Sequence, residues 1–265
     1  MPKVSIIMGV YNGAHRMDKS IQSIINQTFK DWEFIICDDG SSDGSFEKLQ
    51  EYAKKDTRVI AIKNPKNAGL AQTLNNCLSV AKGQYIARMD DDDYSYPDRL
   101  EKEVSFLDTH PEYDIVAGGR KMVDEKGIWG KDSFTGERSN LDIFRGITFV
   151  HPTVMVRKEA YDRVGGYSTY EGIGREEDTD LWCKMYIDGS KGFIIPDIML
   201  DYFESRNSMT RRKYKYRISE AKIKVKYRKA LGISVLYLPL ALKPLVVGLL
   251  PNAVIKLYHK TKFKK

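Results

Sequence analysis

Over the first 118 residues, short apolar runs alternate with segments whose apolar positions recur at helical spacing. Val4-Ser-Ile-Ile-Met-Gly-Val10, Trp32-Glu-Phe-Ile-Ile-Cys37, Val59-Ile-Ala-Ile62, Tyr85-Ile-Ala-Arg-Met89 and Asp114-Ile-Val-Ala117 are bounded by turn formers and read as strands. Ile21, Ile24 and Ile25 form an i, i+3, i+4 stripe after the first strand; Leu70, Leu74, Leu78 and Ala81 form another, stopped by Gly83. Strands that are apolar on both faces, separated by helices, predict a parallel, doubly wound sheet. In such sheets ligands bind beyond the carboxyl ends of the strands. Polar clusters stand at three of these ends: Tyr11-Asn12, Asp38-Asp39 and the run Asp90-Asp-Asp-Asp93.

Past residue 120 the alternation loosens. Thr153-Val-Met-Val156 reads as a strand, Lys158 to Arg163 as a short helix ended by Gly165-Gly166, Glu177 to Ile187 as a longer helix, and Phe193-Ile-Ile195 as a final strand. The organisation this predicts is a body over 1–210, with halves 1–118 and 119–210, and a tail over 211–265.

A chain of 265 residues with 42% hydrophobic content suits one large domain, or one domain plus an appendage. Its net charge of +7 is unevenly spread. From Arg211 onward 16 Lys and Arg face one acid, Glu220, a net of +15 that leaves the first 210 residues at −8. Cys37, Cys77 and Cys183 are odd in number, far apart and flanked by apolar residues, which predicts reduced core thiols of a cytoplasmic protein. Val4 to Val10 is too short for a signal peptide.

Asp38-Asp-Gly-Ser-Ser-Asp-Gly-Ser45 has the composition of a surface turn, and Asp39, Ser41, Asp43 and Gly44 nearly fit a calcium loop. The twelfth position, Gln50, supplies no bidentate carboxylate and a strand precedes the loop, which excludes calcium. Four adjacent aspartates repel one another. A helix cap by Asp93 or Ser95, ahead of Pro97, uses one or two of them. Spaced carboxylates such as Asp90 and Asp92 at a strand end suit Mg²⁺ or Mn²⁺, which take few protein oxygens and complete their shell with phosphates. Glu176-Glu177-Asp178-Thr-Asp180 opens a helix, where the dipole favours acids in any case. His151, taken alone, reads as a structural histidine.

Together these segments, from Val4 to about Phe203, resemble the inverting family-2 glycosyltransferases of the GT-A fold, of the bacterial cell-surface polysaccharide type. Val4-Ser-Ile-Ile-Met-Gly-Val-Tyr-Asn12 is similar to the opening strand and nucleotide-binding turn, and Asp38-Asp-Gly-Ser-Ser-Asp43 to the second motif. Asn67-x-Gly69 and Asn75 match the segment before the next strand, and Asp90-Asp-Asp-Asp93 the metal-binding DxD. His151-Pro-Thr-Val-Met-Val-Arg157, Gly165-Gly-Tyr167 and Glu177-Asp-x-Asp-Leu-Trp182 match the acceptor-side half. Gly9 stands where proline or threonine is common, and Asp91 where a small residue is usual.

The resemblance implies a nucleotide-binding half over 1–118 and an acceptor-side half over 119–210. Gly9, Val10, Tyr11, Asp39, Asn67, Asp90 and Asp91 would bind the nucleotide, with Tyr11 stacking on a pyrimidine and Asp39 accepting from its ring N–H. Asp92, with Asp90, would hold Mg²⁺ or Mn²⁺. Asp178 would be the general base that deprotonates the acceptor hydroxyl, with His151, Glu177 and Trp182 on the acceptor side. The donor would be a UDP- or dTDP-linked sugar and the acceptor a hydroxyl of a saccharide, one carried on a lipid.

 

That acceptor follows from the tail: a transferase held at an anionic membrane surface suits a saccharide carried on a lipid. Arg211 to Lys229 alternates basic residues with Tyr214, Tyr216, Ile218, Ile223, Val225 and Tyr227, and Leu231 to Pro251 is almost wholly apolar. A spanning helix wants about 20 uninterrupted apolar residues, and this run carries Lys243 and prolines at 239, 244 and 251. It predicts broken amphipathic helices lying in the interface at the cytoplasmic face of the membrane, peripheral or monotopic. A C-terminal helix packed on the enzyme's own core is the other reading of the tail. A sugar-nucleotide nucleotidyltransferase would share the sheet and the metal, but needs a glycine- and lysine-rich phosphate loop that Tyr11-Asn-Gly-Ala14 does not provide. Nucleic-acid binding through the tail is disfavoured by the acidic strand ends and the apolar run, so no nucleic-acid partner is expected.

Overall fold

β1 (Val4–Val10), β2 (Trp32–Asp38), β3 (Val59–Lys63) and β4 (Tyr85–Arg88) form where the apolar runs predict them, and pair in parallel in the order β3-β2-β1-β4. Helices α1 (Met17–Ile25), α2 (Ser45–Lys55) and α3 (Leu70–Val80) connect them. The computed structural model describes residues 1–132, 134–204 and 213–250. Alternate residues of each strand face opposite sides. Ile7, Ile35 and Ile86 join one apolar cluster, while Ile6, Met8, Phe34, Ile36 and Ala87 join the other. Both faces are covered, which is why these strands carry no polar stripe.

The second half departs from the parallel expectation. After β5 (Tyr94–Ser95) and α4 (Arg99–Thr109) come β6 (Ile115–Asp124), β7 (Gly127–Asp132), β8 (Gly136–Glu137), α5 (Asn140–Arg145), β9 (Val154–Arg157), α6 (Lys158–Val164), α7 (Glu177–Ile187) and β10 (Gly192–Phe203). The sheet continues β4-β9-β6-β10-β5, and β9 is antiparallel to both β4 and β6. β6 and β10 are parallel, whereas the pairs β5/β10, β6/β7 and β8/β10 are antiparallel. The sheet is therefore mixed, a correction to the mostly parallel expectation. A strand buried on both faces has the same apolar composition in either direction, so the pattern could not settle its sense. The direction matters for function: an antiparallel β9 begins where β4 ends, which brings the turn His151–Thr153 to the edge that carries Asp90.

The basic tail is not a separate appendage. Its described part forms α8 (Tyr214–Tyr227) and α9 (Leu238–Leu249). Ile223, Leu231, Ile233 and Ala241 are buried in the same cluster as Leu181 and Trp182 of α7. The boundary at 210 thus does not separate two cores. Pro239 lies in the first turn of α9, and the helix continues through Pro244 rather than breaking there. Among the described residues no helix is long and apolar enough to cross a membrane. Residues 205–212 and 251–265, including Arg211, Arg212 and Pro251, lie outside the described residues. Cys37, Cys77 and Cys183 are free and buried, as the sequence predicts.

α4 is held against the end of β4 by Arg99, which is also half of a buried ion pair within the helix. Arg99 Nε donates to Glu103 Oε1 at 3.1 Å, and its guanidinium also donates to the carbonyls of Arg88 at 2.9 Å and Val154 at 3.3 Å. Both side chains are fully buried, and burial pushes the Glu103 carboxyl up to about 7 against the opposing pull of Arg99. Removing one partner strands the other charge in the core. Arg99→Met is expected to lower the unfolding free energy by about 3–5 kcal/mol, with much of it recovered in Arg99→Met/Glu103→Leu. Urea unfolding measures both; a single variant within about 1 kcal/mol of wild type contradicts the account.

Candidate active site

The turns that follow β1 and β2 are zipped together. The backbone N–H of Asn12 donates to Ser41 Oγ at 2.9 Å, that of Gly13 to Ser45 Oγ at 3.0 Å, and that of Ala14 to Asp43 Oδ2 at 3.0 Å; Ser42 N–H returns a bond to Asn12 Oδ1 at 3.0 Å. Asn12 takes a left-handed conformation with φ of 48°, a region asparagine tolerates better than most residues. Ser41, Asp43 and Ser45 of this stretch thus accept from the amides of the β1 turn. Burial opposes ionisation of Asp43, but the Ser45 hydroxyl and the Ala14 and Ser45 amides outweigh it and hold the carboxyl below its ordinary range. Tyr11 is left 48% exposed, its ring open to a stacking partner. Val10 is buried, and α3 packs so closely on Gly9 that a Cβ there would come within 3.1 Å of Leu70 and Thr73.

Asp39 organises the next wall. It accepts from Asn64 Nδ2 at 2.8 Å, Ala68 N–H at 2.7 Å and Gly69 N–H at 2.9 Å, so it holds the loop on which Asn67 is exposed. Three of its roughly four acceptor positions are filled, leaving room for one more donor. Beside it Asp38 is fully buried, and its Oδ1 has no hydrogen-bond partner among the described residues. The sequence reading passed over Asp38; the only signal was its place in the same dipeptide.

The aspartate run is partly neutralised from within the chain. Asp90 pairs with Arg88, whose guanidinium is buried under it, at 2.5 Å. Asp91 pairs with Arg16, from the β1 turn, at 2.8 Å. Gly13 makes room for that pair, since a Cβ there would meet Asp91 Oδ2 at 2.5 Å. Asp93 is buried and accepts from Phe203 N–H at 2.8 Å, tying the end of β10 to this loop. It does not cap α4, nor does Ser95, which lies in β5; α4 starts at Arg99. Asp92 has no ion-pair partner among the described residues. Burial, then Asp90 and Asp91, push its carboxyl up to about 6. Among the described residues no three carboxylate, imidazole or thiol groups converge into a ready-made metal cage. Mg²⁺ and Mn²⁺ bind through one or two carboxylates plus phosphates, and an unpaired, crowded Asp92 next to Asp90 fits that requirement.

The acceptor side approaches from the other half of the sheet. His151 Nε2 lies 2.8 Å from the Tyr167 hydroxyl, and burial followed by the Arg88 charge pushes the imidazole well below its ordinary pKa. Glu177, at the start of α7, is raised to about 7 by burial first and Asp178 next, with Asp90 also contributing. Asp178 accepts from Thr179 N–H at 2.7 Å. Trp182 is a correction: it is fully buried, edge-on to Phe149 at 5.3 Å and to His151 at 6.0 Å. Its indole is a floor behind His151 rather than a surface an acceptor could touch.

Residues 5–165 match the model of the family described as Glycosyl transferase family 2. This chain belongs to that family. It is 37% identical over 260 residues to the provisionally assigned glycosyltransferase EpsE of Bacillus subtilis (strain 168), covering 98% of this chain and 94% of that protein. It is 34% identical over 128 residues to WfgD of Escherichia coli, a UDP-Glc:alpha-D-GlcNAc-diphosphoundecaprenol beta-1,3-glucosyltransferase, covering 48% of this chain and 49% of WfgD. Among solved structures, S. aureus TarS 1–349 in complex with UDP-GlcNAc superposes with a TM-score of 0.70 at 20% identity, over 93% of this chain and 71% of that one. The mannosyltransferase PcManGT from Pyrobaculum calidifontis, in complex with GDP-Man and Mn²⁺, gives 0.64 at 20% identity, over 98% and 80%. These likenesses give the family-2 transferase a GT-A-like mixed α/β fold.

Glu177 supplies a pH test of the site's electrostatics. Its folded pKa of about 7 lies above the ordinary 4.5, so its contribution is favourable below 4.5 and is lost as pH rises through 7. Glu177→Gln should therefore gain stability over wild type as the pH is raised from about 5 to about 8 in chelator-treated buffer. Urea midpoints read the difference; a gap that does not change with pH contradicts the assignment.

Proposed function

We propose that this transferase moves a sugar from a UDP- or dTDP-linked donor to a hydroxyl of a lipid-linked saccharide, with inversion, in the assembly of a cell-surface polysaccharide. The observation that carries this reading is that Tyr11 and the aspartate run share one edge of the sheet, joined by Arg16, which donates to the Tyr11 carbonyl at 3.3 Å and to Asp91 at 2.8 Å, with His151 delivered to the same edge by β9. Tyr11 stacks on the base, and Asp39 takes the ring N–H with its remaining acceptor position. Asn67, on the loop Asp39 holds, lies beside the nucleotide. Asp92 and Asp90 would hold Mg²⁺ or Mn²⁺, which when bound neutralises charge on the leaving diphosphate. Asp178 removes the proton of the acceptor hydroxyl as its oxygen attacks the anomeric carbon, and the nucleoside diphosphate leaves from the opposite face. One displacement inverts that centre. His151, held neutral against Tyr167, and Glu177 shape the acceptor side.

The donor class is supported by the sugar nucleotides named for WfgD and TarS, the metal by the Mn²⁺ of PcManGT, and the lipid carrier by the WfgD acceptor. A membrane surface is supported by the tail. Leu236 is 83% exposed and Leu249 75%, with Val235 and Val246 also exposed around them. An apolar face of this kind on a strongly basic segment suits an anionic interface, which supports the reading of a peripheral enzyme at the cytoplasmic leaflet.

Release of nucleoside diphosphate from a panel of sugar nucleotides tests the chemistry. Asp178→Asn should cut turnover by about 10²–10⁴-fold while donor affinity stays near wild type, and Asp92→Ala or excess chelator should abolish it. Wild-type turnover in Asp178→Asn would move the base elsewhere. Flotation with anionic liposomes tests the surface: Leu236→Asp/Leu249→Asp should lose retention at physiological salt while the wild type keeps it. Equal retention of both proteins would contradict the interfacial role of α9.

A further inference from the structure

Asp180 has the environment of a residue that holds something in place. It is fully buried on α7, two residues beyond Asp178. Its Oδ2 accepts from Ser168 Oγ at 2.6 Å, and its Oδ1 accepts from Tyr227 Oη at 2.9 Å and Tyr170 Oη at 3.3 Å. Lys226 Nζ approaches to 3.7 Å. Ser168 and Tyr170 belong to the irregular stretch before α7, and Tyr227 and Lys226 to α8. A second tie joins the same two segments, since Ser219 Oγ of α8 donates to the Gly172 carbonyl at 3.0 Å. Gly172 and Gly174 both have positive φ, of 94° and 66°, so the stretch has little regular structure of its own to fix it.

We propose that Asp180 is a positioning residue, through which α8 and the 168–176 stretch set the orientation of the helix turn that presents Asp178. The proposal rests on the reading of Asp178 as the base. In an α-helix two residues are separated by about 200°, so Asp178 and Asp180 point to nearly opposite sides of the first turn. Anchoring Asp180 on the α8 side fixes the rotation of that turn and therefore where the Asp178 carboxylate lies. A buried carboxylate is costly unless fully hydrogen-bonded, and three hydroxyls converge on this one from two separate segments. The basic tail is then part of the acceptor side as well as a membrane contact.

The test uses the full chain with Tyr227→Phe, which removes one hydroxyl from a tyrosine at the edge of the network, and Asp180→Asn as a second variant. Three quantities are read: amide hydrogen exchange over 168–180, UDP affinity with Mn²⁺, and turnover of the sugar nucleotide that the wild type hydrolyses fastest. Expected are faster exchange over 168–180, UDP affinity within about twofold of wild type, and kcat lowered by about tenfold or more, as small misplacements of reacting groups do. Unchanged exchange, or faster exchange with wild-type kcat, overturns the proposal. Loss of UDP affinity in parallel with kcat also overturns it, because a general loss of structure would produce that. If Asp178→Asn keeps wild-type turnover while Tyr227→Phe lowers it, the assignment of the base fails and the tie through Asp180 stands.

Discussion

Four carboxylates at the end of one strand are the constraint around which this molecule is arranged. Side by side they repel, and burial makes the repulsion worse. The fold answers with two arginines from different directions: Arg88 from beneath, paired with Asp90, and Arg16 from the β1 turn, paired with Asp91. Asp93 is spent on the backbone of Phe203. Asp92 is left beside two like charges, its carboxyl raised to about 6. The same contacts that relieve the run also assemble this edge, because Arg16 carries the β1 turn with it and Phe203 carries the last strand.

The second half is built onto this edge by direction and by docking. β9 runs against β4, so the turn that begins it delivers His151 to the edge where β4 ends. Tyr167 meets that histidine, and Trp182 backs it, which seats α7 against the same turn. α8 then closes the outside of α7 through Asp180. Pulling the tail away would therefore disturb the turn that carries Asp178, so under the proposed function membrane attachment and acceptor geometry would share one element.

The strands β1 to β4 were legible because buried parallel strands leave unbroken apolar runs, and α7 because its acids and apolar stripe mark both ends. Direction in the second half was not legible, since Val154 to Arg157 has the same composition read either way. α2 escaped notice because only Ser45 and Leu49 of its residues are buried, too little for a stripe. Asp90, Asp91 and Asp92 were recognisable as a cluster, but their arginine partners were not: Arg88 reads as one polar residue in an apolar strand, and Arg16 is 75 positions from Asp91. Trp182 was misread because a motif position does not tell whether its side chain faces a cleft or the core. The tail's charge was plain in the sequence, whereas the few apolar residues that seat α8 on α7, and α9 on α8 and α5, are scattered along it.

The central claim is that the aspartate run, with its arginines in place, still lacks the positive charge needed to hold a nucleoside diphosphate. Calorimetric titration of UDP into the full chain, with Mn²⁺ and then with excess chelator, tests it most directly. The account predicts that Mn²⁺ tightens UDP binding by at least about tenfold, and that UDP tightens Mn²⁺ binding by the same factor, because the coupling is reciprocal. Equal UDP affinity with and without the metal would contradict it.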